Sequence, residues 1–407
     1  MKKKSTLRPL LSVPVIVAAL GYFVDIYDLL LFSIVRIPSL RSLNVAEDQL
    51  LDQGVFLINM QMLGMLIGGV FWGVLGDKKG RLSVLFGSIL LYSLANIANG
   101  FVTTIDQYAL LRFIAGIGLA GELGAGITLV AEILPKNIRG YGTTIVASVG
   151  VLGAVLAYFV ADMYDWRIAY FIGGGLGLLL LILRFNVFES GIFKEVKERS
   201  TQRGNFFSLF TSRKRFMKYL RCILIGLPIW FVIGILITFS PEFAQAIGLT
   251  TPVDAGKAVM FAYIGLSLGD MSSGLLSQYL KSRRKTVLIF VLLTSAAMAI
   301  YLCQRSPSTT VFYGLCLLLG YAIGYWALFV TIAAEQFGTN LRATVATTVP
   351  NFVRGSVNVF TPLFLLGAQH FGRLGSAGLI GGVAILLALS ALWKMEETFT
   401  RDLNYTE

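Results

Sequence analysis

Sixteen residues at 131–146, AEILPKNIRGYGTTIV, recur as AEQFGTNLRATVATTV at 334–349, a shift of 203 in a chain of 407. Ala, Glu, Asn, Arg, Thr and Val stand at matching places, so Glu132 and Arg139 are echoed by Glu335 and Arg342. A shift of half the chain length points to the doubling of one unit. Each copy follows an apolar stretch long enough to cross a bilayer, so the doubled unit is expected to be a bundle of membrane helices.

With 56% hydrophobic and 14% charged residues and a mean hydropathy of +0.75, the chain reads as an integral membrane protein. A helical span needs about 20 apolar residues. Twelve are expected, at 13–35, 54–75, 83–102, 107–132, 141–161, 168–187, 217–239, 257–280, 286–303, 310–333, 343–367 and 375–394. The basic MKKKSTLRPL start has no small-residue cleavage site after the first apolar run, so it reads as a retained first span. The net charge of +12 invites a nucleic-acid reading, but the basic residues are placed otherwise. Of the 34 Lys and Arg, 25 fall in segments on one side of these spans, six on the other, and Arg112, Arg184 and Arg354 inside them. This asymmetry is the positive-inside rule, and it predicts both termini in the cytoplasm. The excess serves orientation, and a nucleic-acid partner is not expected.

The one sizeable hydrophilic break lies midway, so the expected domains are a bundle at 1–187, a cytoplasmic linker at 188–216 and a second bundle at 217–407. Cys222, Cys303 and Cys316 lack metal-ligand spacing and read as small packing residues, and His370 stands alone, so no metal is expected. There is no Walker loop and no Gly-x-Ser-x-Gly elbow. A transporter is expected, not an enzyme, with no cofactor and a gradient as its driving force, which the resemblance given below implies to be a proton gradient.

Between spans 2 and 3 stands GVLGDKKGRLSVL (73–85). Gly73 closes the span, Asp77 is placed to cap the next helical segment, Gly80 permits a tight turn, and Arg81 meets the charged face. This loop resembles the signature of the major facilitator superfamily, in which Gly, Asp, Gly and Arg recur at these spacings, and the resemblance covers the whole chain. It implies an all-α fold of two six-helix bundles working by alternating access. The second half carries a worn copy, GLLSQYLKSRRK (274–285), with Gln278 where Asp77 stood. The cytoplasmic gate is therefore expected to be locked mainly by the first copy. Glu132, Arg139 and their echoes Glu335 and Arg342 sit where the family forms a charged latch.

Ionisable groups inside a bilayer are costly and rarely incidental. Span 1 reads LGYFVDIYDLLLFSIV (20–35), placing Asp25 and Asp28 on one helical face. Span 4 carries Arg112 and Glu122. At ~1.5 Å per residue, Asp28 and Arg112 fall at similar depths, roughly 8–10 Å from the outer ends of their helices, while Asp25 and Glu122 lie nearer the midplane. Tyr27-Asp28, with Arg112 and its following Gly-Ile-Gly, resembles the span 1 carboxylate and span 4 arginine of proton-coupled sugar porters. The run AGELGAGITLVAEILPKNIRG (120–140) and the tail MEETFTRDL (395–403) are similar to metabolite–proton and aromatic-acid–proton symporters. That resemblance implies Asp28 as the protonation site and Arg112 as its partner. A static buried salt bridge is the alternative, and Asp25 and Glu122 are further coupling candidates.

Span 11 reads TVPNFVRGSVNVFTPLF (348–364) and holds Arg354 without an acidic residue on its own helix. Such a cation wants an anion. An arginine on this helix also resembles the substrate-facing one of organic anion carriers. Asn351 and Asn358, three back and four on, are expected to share its face. Structural pairing of Arg354 with Asp25, Asp28 or Asp270 is the competing reading. In span 10, Tyr321, Tyr325 and Trp326 are placed to stack on a flat substrate, with aromatic core packing as the alternative. Asn59 and Gln61 are lesser polar candidates, and Asp270 reads as a gating acid. The expected protein is a monomeric, multi-pass inner (plasma) membrane symporter of a small organic anion with protons, held in a lipid bilayer. A proton-driven exporter, or a symporter of a sugar or zwitterionic osmolyte, is the alternative. Antiporters of this kind carry a Gly-Pro-rich span 5, and VASVGVLGAVLAYFV (146–160) has no proline.

Overall fold

The computed structural model describes residues 10–134, 138–188, 205–338 and 340–399, and among them every regular element is helical. Eleven stretches are long and apolar enough to cross a membrane, and the last of them runs through 342–393. Inside it Gly372 adopts φ 68, a left-handed value that glycine takes without strain. The chain folds back there, because Ser376 Oγ donates to the Phe364 carbonyl at 2.9 Å across the turn. The stretch is thus two spans, which makes twelve among the described residues. Residues 189–204, most of the expected linker, lie outside the described residues, and a short turn at Phe206–Leu209 packs Phe206 against Tyr219 and Phe352.

Duplication is visible in the interruptions as well as the helices. Span 4 is broken between Ile105–Leu119 and Glu122–Ile133, and span 10 between Thr309–Ala322 and Trp326–Gln336. Span 5 divides into Arg139–Gly150 and Gly153–Met163, and span 11 is likewise interrupted after Arg342–Gly355. Each pair matches at the shift of about 203 residues found in the sequence. Broken helices expose backbone groups at mid-bilayer, which is tolerated only inside protein or beside a cavity. Span 7 has a related irregularity, a π-helical stretch at Val232–Ile237, and such stretches often mark functional positions.

Small residues set the packing within each half. A Cβ on Gly64 or Gly68 of span 2 would run into the backbone of Phe113 and Ile117 in span 4. The same holds for Gly265 and Gly269 of span 8 against Leu317 and Tyr321 of span 10. Close backbone approach through small residues is how membrane helices associate. Cys222 and Cys316 are buried packing residues, but Cys303 is exposed, since its helix ends there.

The halves meet along spans 2 and 11, spans 5 and 8, and spans 1 and 8, and Arg36 of span 1 also reaches Glu242 beyond span 7. Ser267 Oγ donates to the Ser148 carbonyl at 2.8 Å at mid-height. At the end bearing the 73–85 loop, called here the basic end, the tail at 394–399 straps the second half. Burial pushes the Glu397 carboxyl up, but hydrogen bonds from the Ser282 hydroxyl and the backbone N–H groups of Arg283, Phe399 and Arg284 outweigh it. The carboxyl is held below the usual glutamate range, and it anchors the start of span 9.

Candidate functional site

Arg354 ends the first half of span 11 and is 1% exposed at the seam between the halves. Its guanidinium lies over two indole faces, Trp326 at 5.3 Å and Trp230 at 5.7 Å. Trp326 is there because span 10 breaks just before it. Asp270 of span 8 accepts the Ala327 N–H at 3.0 Å and so caps the second half of that span. Trp326 Nε1 in turn donates to the Tyr22 hydroxyl of span 1 at 2.8 Å, linking the halves. Arg354 Nη1 donates to Asn351 Oδ1 at 3.3 Å, while Nε and Nη2 have no acceptor on the protein. Asn351 Nδ2 bridges back to the Ala120 carbonyl in the break of span 4, at 2.8 Å. Asp25 is within electrostatic reach of Arg354, and neither of its oxygens accepts a hydrogen bond. A planar anion would find here a cationic fork, two aromatic walls and an amide, which suits a flat carboxylate.

The other expected members of this site are placed differently. Asn358 follows the interruption at Ser356, is half-buried, and donates to the Gly355 carbonyl at 3.2 Å, while the Arg354 donor goes to Asn351. Tyr325 donates to the Ile225 carbonyl at 3.0 Å, and both it and Tyr321 pack on Phe290. Trp326 alone of the three span 10 aromatics faces Arg354. Trp230 was not singled out in the sequence because it sits in an unbroken apolar run. The shift of 203 offered a signal, since it puts Trp230 opposite Tyr27, beside Asp28.

Asp28 and Arg112 are both fully buried and neighbours, yet they form no ion pair. Arg112 instead donates to Asn96 Oδ1 at 2.5 Å and Asn99 Oδ1 at 3.3 Å, and stacks on Tyr170 at 4.8 Å. Among the described residues Arg112 Nη1 and both Asp28 oxygens make no hydrogen bond of good geometry, although Asn96 and Arg112 both lie beside Asp28. Two asparagines of span 3 thus occupy the fork that the sequence assigned to Asp28. Glu122 is different again. Arg184 of span 6 holds it through both oxygens, with Nη1 at 3.0 Å, and also donates to the Leu85 carbonyl at 3.0 Å. Gln61 donates to the Leu29 carbonyl, and Asn59 accepts from Thr361 at 3.0 Å, across the seam.

Both ends of the seam are clamped. At the basic end Asp77 accepts from Thr344 N–H at 2.8 Å, Ala343 N–H at 3.3 Å and the Thr344 hydroxyl at 2.6 Å. It lies inside span 2 (Leu50–Lys79), and these bonds cap span 11 of the other half, a contact across the halves that the sequence did not assign to it. The reason is the tight seam there, where a Cβ on Gly73 would press on the Thr344 backbone. Gly80 takes φ 93, so the tight turn falls where expected. Glu335 pairs with Arg283 at 3.1 Å and accepts from Thr398, and Arg342 is buried in the first turn of span 11. The side chains of Arg81, Glu132 and Arg139 lie outside the described residues. At the far end Arg36 of span 1 meets Glu242, beyond span 7, at 2.7 Å.

Residues 18–362 match the family model described as the Major Facilitator Superfamily. The chain is 27% identical over 324 residues to the niacin transporter NiaP of Acinetobacter baylyi, covering 71% of this chain and 72% of that one. It is 25% identical over 394 residues to the gentisate transporter of Corynebacterium glutamicum, covering 92% and 86%. Among solved structures, the proton:xylose symporter XylE bound to 6-bromo-6-deoxy-D-glucose aligns with TM-score 0.72 at 15% identity, over 96% of this chain and 97% of that one, a likeness of fold.

Proposed function

The chain belongs to the Major Facilitator Superfamily, a multi-pass secondary transporter, and we propose that it imports a small planar carboxylate together with protons. One observation carries this reading above the others. Arg354 lies buried where the halves meet, walled by Trp326 and Trp230, with two donor groups unmatched by the protein. A buried guanidinium without a full set of acceptors is unfavourable, and an arriving carboxylate relieves it bidentately. The indoles favour a flat ring behind that carboxylate. Relatives named for niacin and gentisate transport support an aromatic acid as the class. With the basic end inward, as the charge asymmetry suggests, the Asp77 clamp faces the cytoplasm.

Coupling is assigned to Asp28, with Asp25 as the link to the substrate. A carboxyl locked in a two-pronged pair, as Glu122 is with Arg184, cannot exchange a proton without breaking that pair. Asp28 has Arg112 beside it but no such tie. Asp25 stands one helical turn away and within reach of both Arg354 and Asp28, so charge at the substrate site is felt along span 1. The test is uptake of labelled benzoate and nicotinate into proteoliposomes, with and without an imposed pH gradient. Wild type should accumulate one of these acids only with the gradient, and Asp28→Asn should lose accumulation while keeping exchange of bound substrate. Normal uphill accumulation by Asp28→Asn removes the coupling assignment. Transport of the neutral amides in preference to the acids removes the carboxylate.

A further inference from the structure

Resting on the carboxylate substrate just proposed, we infer a second carboxylate subsite at the far end of the seam, in which Arg36 exchanges Glu242 for the substrate's carboxylate as that end opens. Arg36 is 0% exposed, near the end of span 1, and uses one of its donor groups on Glu242. Its Nε and Nη1 have no acceptor, and Glu242 Oε2 has no donor. The ion pair is therefore single-pronged although both partners can form a fork. The guanidinium lies over the Phe239 ring at 5.0 Å, repeating at this end the arginine-on-aromatic arrangement of Arg354 on Trp326 at 5.3 Å. Span 2 leaves room for it, since a Cβ on Gly54 would meet Arg36 Cδ at 2.7 Å.

A cleft of about 380 Å³ lies between spans 2 and 11, lined in part by Asp52, Phe364, Gln369 and Arg373. Arg373 Nη1 donates to the Glu242 carbonyl at 3.4 Å, so a residue lining the cleft holds the backbone of one member of the ion pair. The lining carries one acid, Asp52, which is exposed, and one base, Arg373. Parting the chain here breaks the Arg36–Glu242 pair, and until water reaches Arg36 its buried guanidinium is short of its counter-ion, which is unfavourable. A substrate carboxylate supplies the replacement, and a neutral analogue does not. The far-end clamp is thus selective for charge before the substrate reaches Arg354.

The experiment titrates the purified full-length protein in detergent with benzoate and, as its neutral isostere, benzamide. Arg354→Gln should weaken benzoate binding about 10-fold or more, as loss of a charged hydrogen-bond pair does. Adding Glu242→Gln frees Arg36 and should restore a benzoate site that benzamide does not occupy and that Arg36→Gln removes. Absence of that restored site in a monodisperse protein, or equal binding of benzoate and benzamide, overturns the proposal. In the Arg354 background, Glu242→Gln alone should raise the benzoate stoichiometry from one to two per chain, and a stoichiometry of one also overturns it. Unchanged benzoate affinity in Arg354→Gln alone is a failure of the central site instead, and the loss or retention of benzoate in Glu242→Gln/Arg36→Gln then still reads the far-end subsite.

Discussion

Lysine in place of Arg354 keeps the charge but loses the planar fork and most of the stacking on Trp326 and Trp230. Arg354→Lys should weaken binding of the carboxylate substrate by about 1.5–3 kcal/mol, the range for a hydrogen bond to a charged group. Esterifying the substrate should weaken wild-type binding similarly, and the two losses should not add, because both delete one contact. Additive losses in that cycle place the carboxylate elsewhere and make Arg354 a structural cation. At this scale the sequence was informative where an ionisable residue stood alone in an apolar run. Arg354, Asp25, Asp28 and Arg112 are all buried as expected. Partners were less legible, because depth along a helix does not report azimuth around it. Arg112 faces Asn96 and Asn99, which depth alone could not rank above Asp28, and Glu122 faces Arg184, which depth alone did not single out.

Broken helices are the elements that present these side chains. In span 10 the chain unwinds at Ile323, Gly324 and Tyr325, and Asp270 closes the following helix by accepting the Ala327 N–H. Glycine at 324 is required there, since a Cβ would collide with the Gly269 backbone. Asp270→Ala leaves a buried N–H unmatched, a penalty of about 1–3 kcal/mol, and frees Trp326 from its place over Arg354. Asp270→Asn retains an acceptor oxygen at the same position. Calorimetric titration with substrate should therefore show a clear loss of affinity in the Ala variant and near wild-type affinity in the Asn variant. Equal loss in both means that the charge of Asp270 matters and its capping bond does not. The twelve spans were legible to within a few residues at most ends, because hydropathy is a sum over many side chains. The interruptions were not, although the 203-residue repeat aligns them, since no single residue marks a mid-span break.

At the scale of the whole molecule, the duplicated halves are joined asymmetrically, and the asymmetry is where the two copies of the loop differ. Asp77 sits at the start of span 11, where unpaired N–H groups and the helix dipole both favour a carboxylate. The corresponding place in the second half brings Gln278 against Gly140 at the start of span 5, an uncharged amide in contact with the equivalent helix end. The seam at the basic end therefore depends on the first copy more than on the second. Asp77→Ala removes the acceptor of three hydrogen bonds made across the halves in this closed arrangement. A loss of about 1.5–3 kcal/mol shifts a closed-to-open equilibrium by roughly 10- to 150-fold. Paired spin labels on Lys79 and Tyr279, both exposed at the basic end, should then report a new population at longer separation. Substrate affinity should change little, because Arg354 and its aromatic walls lie elsewhere on the seam. Gln278→Ala should shift the same distance distribution less. A distribution unchanged by Asp77→Ala, or moved further by Gln278→Ala, would assign the lock at this end to other contacts between the halves.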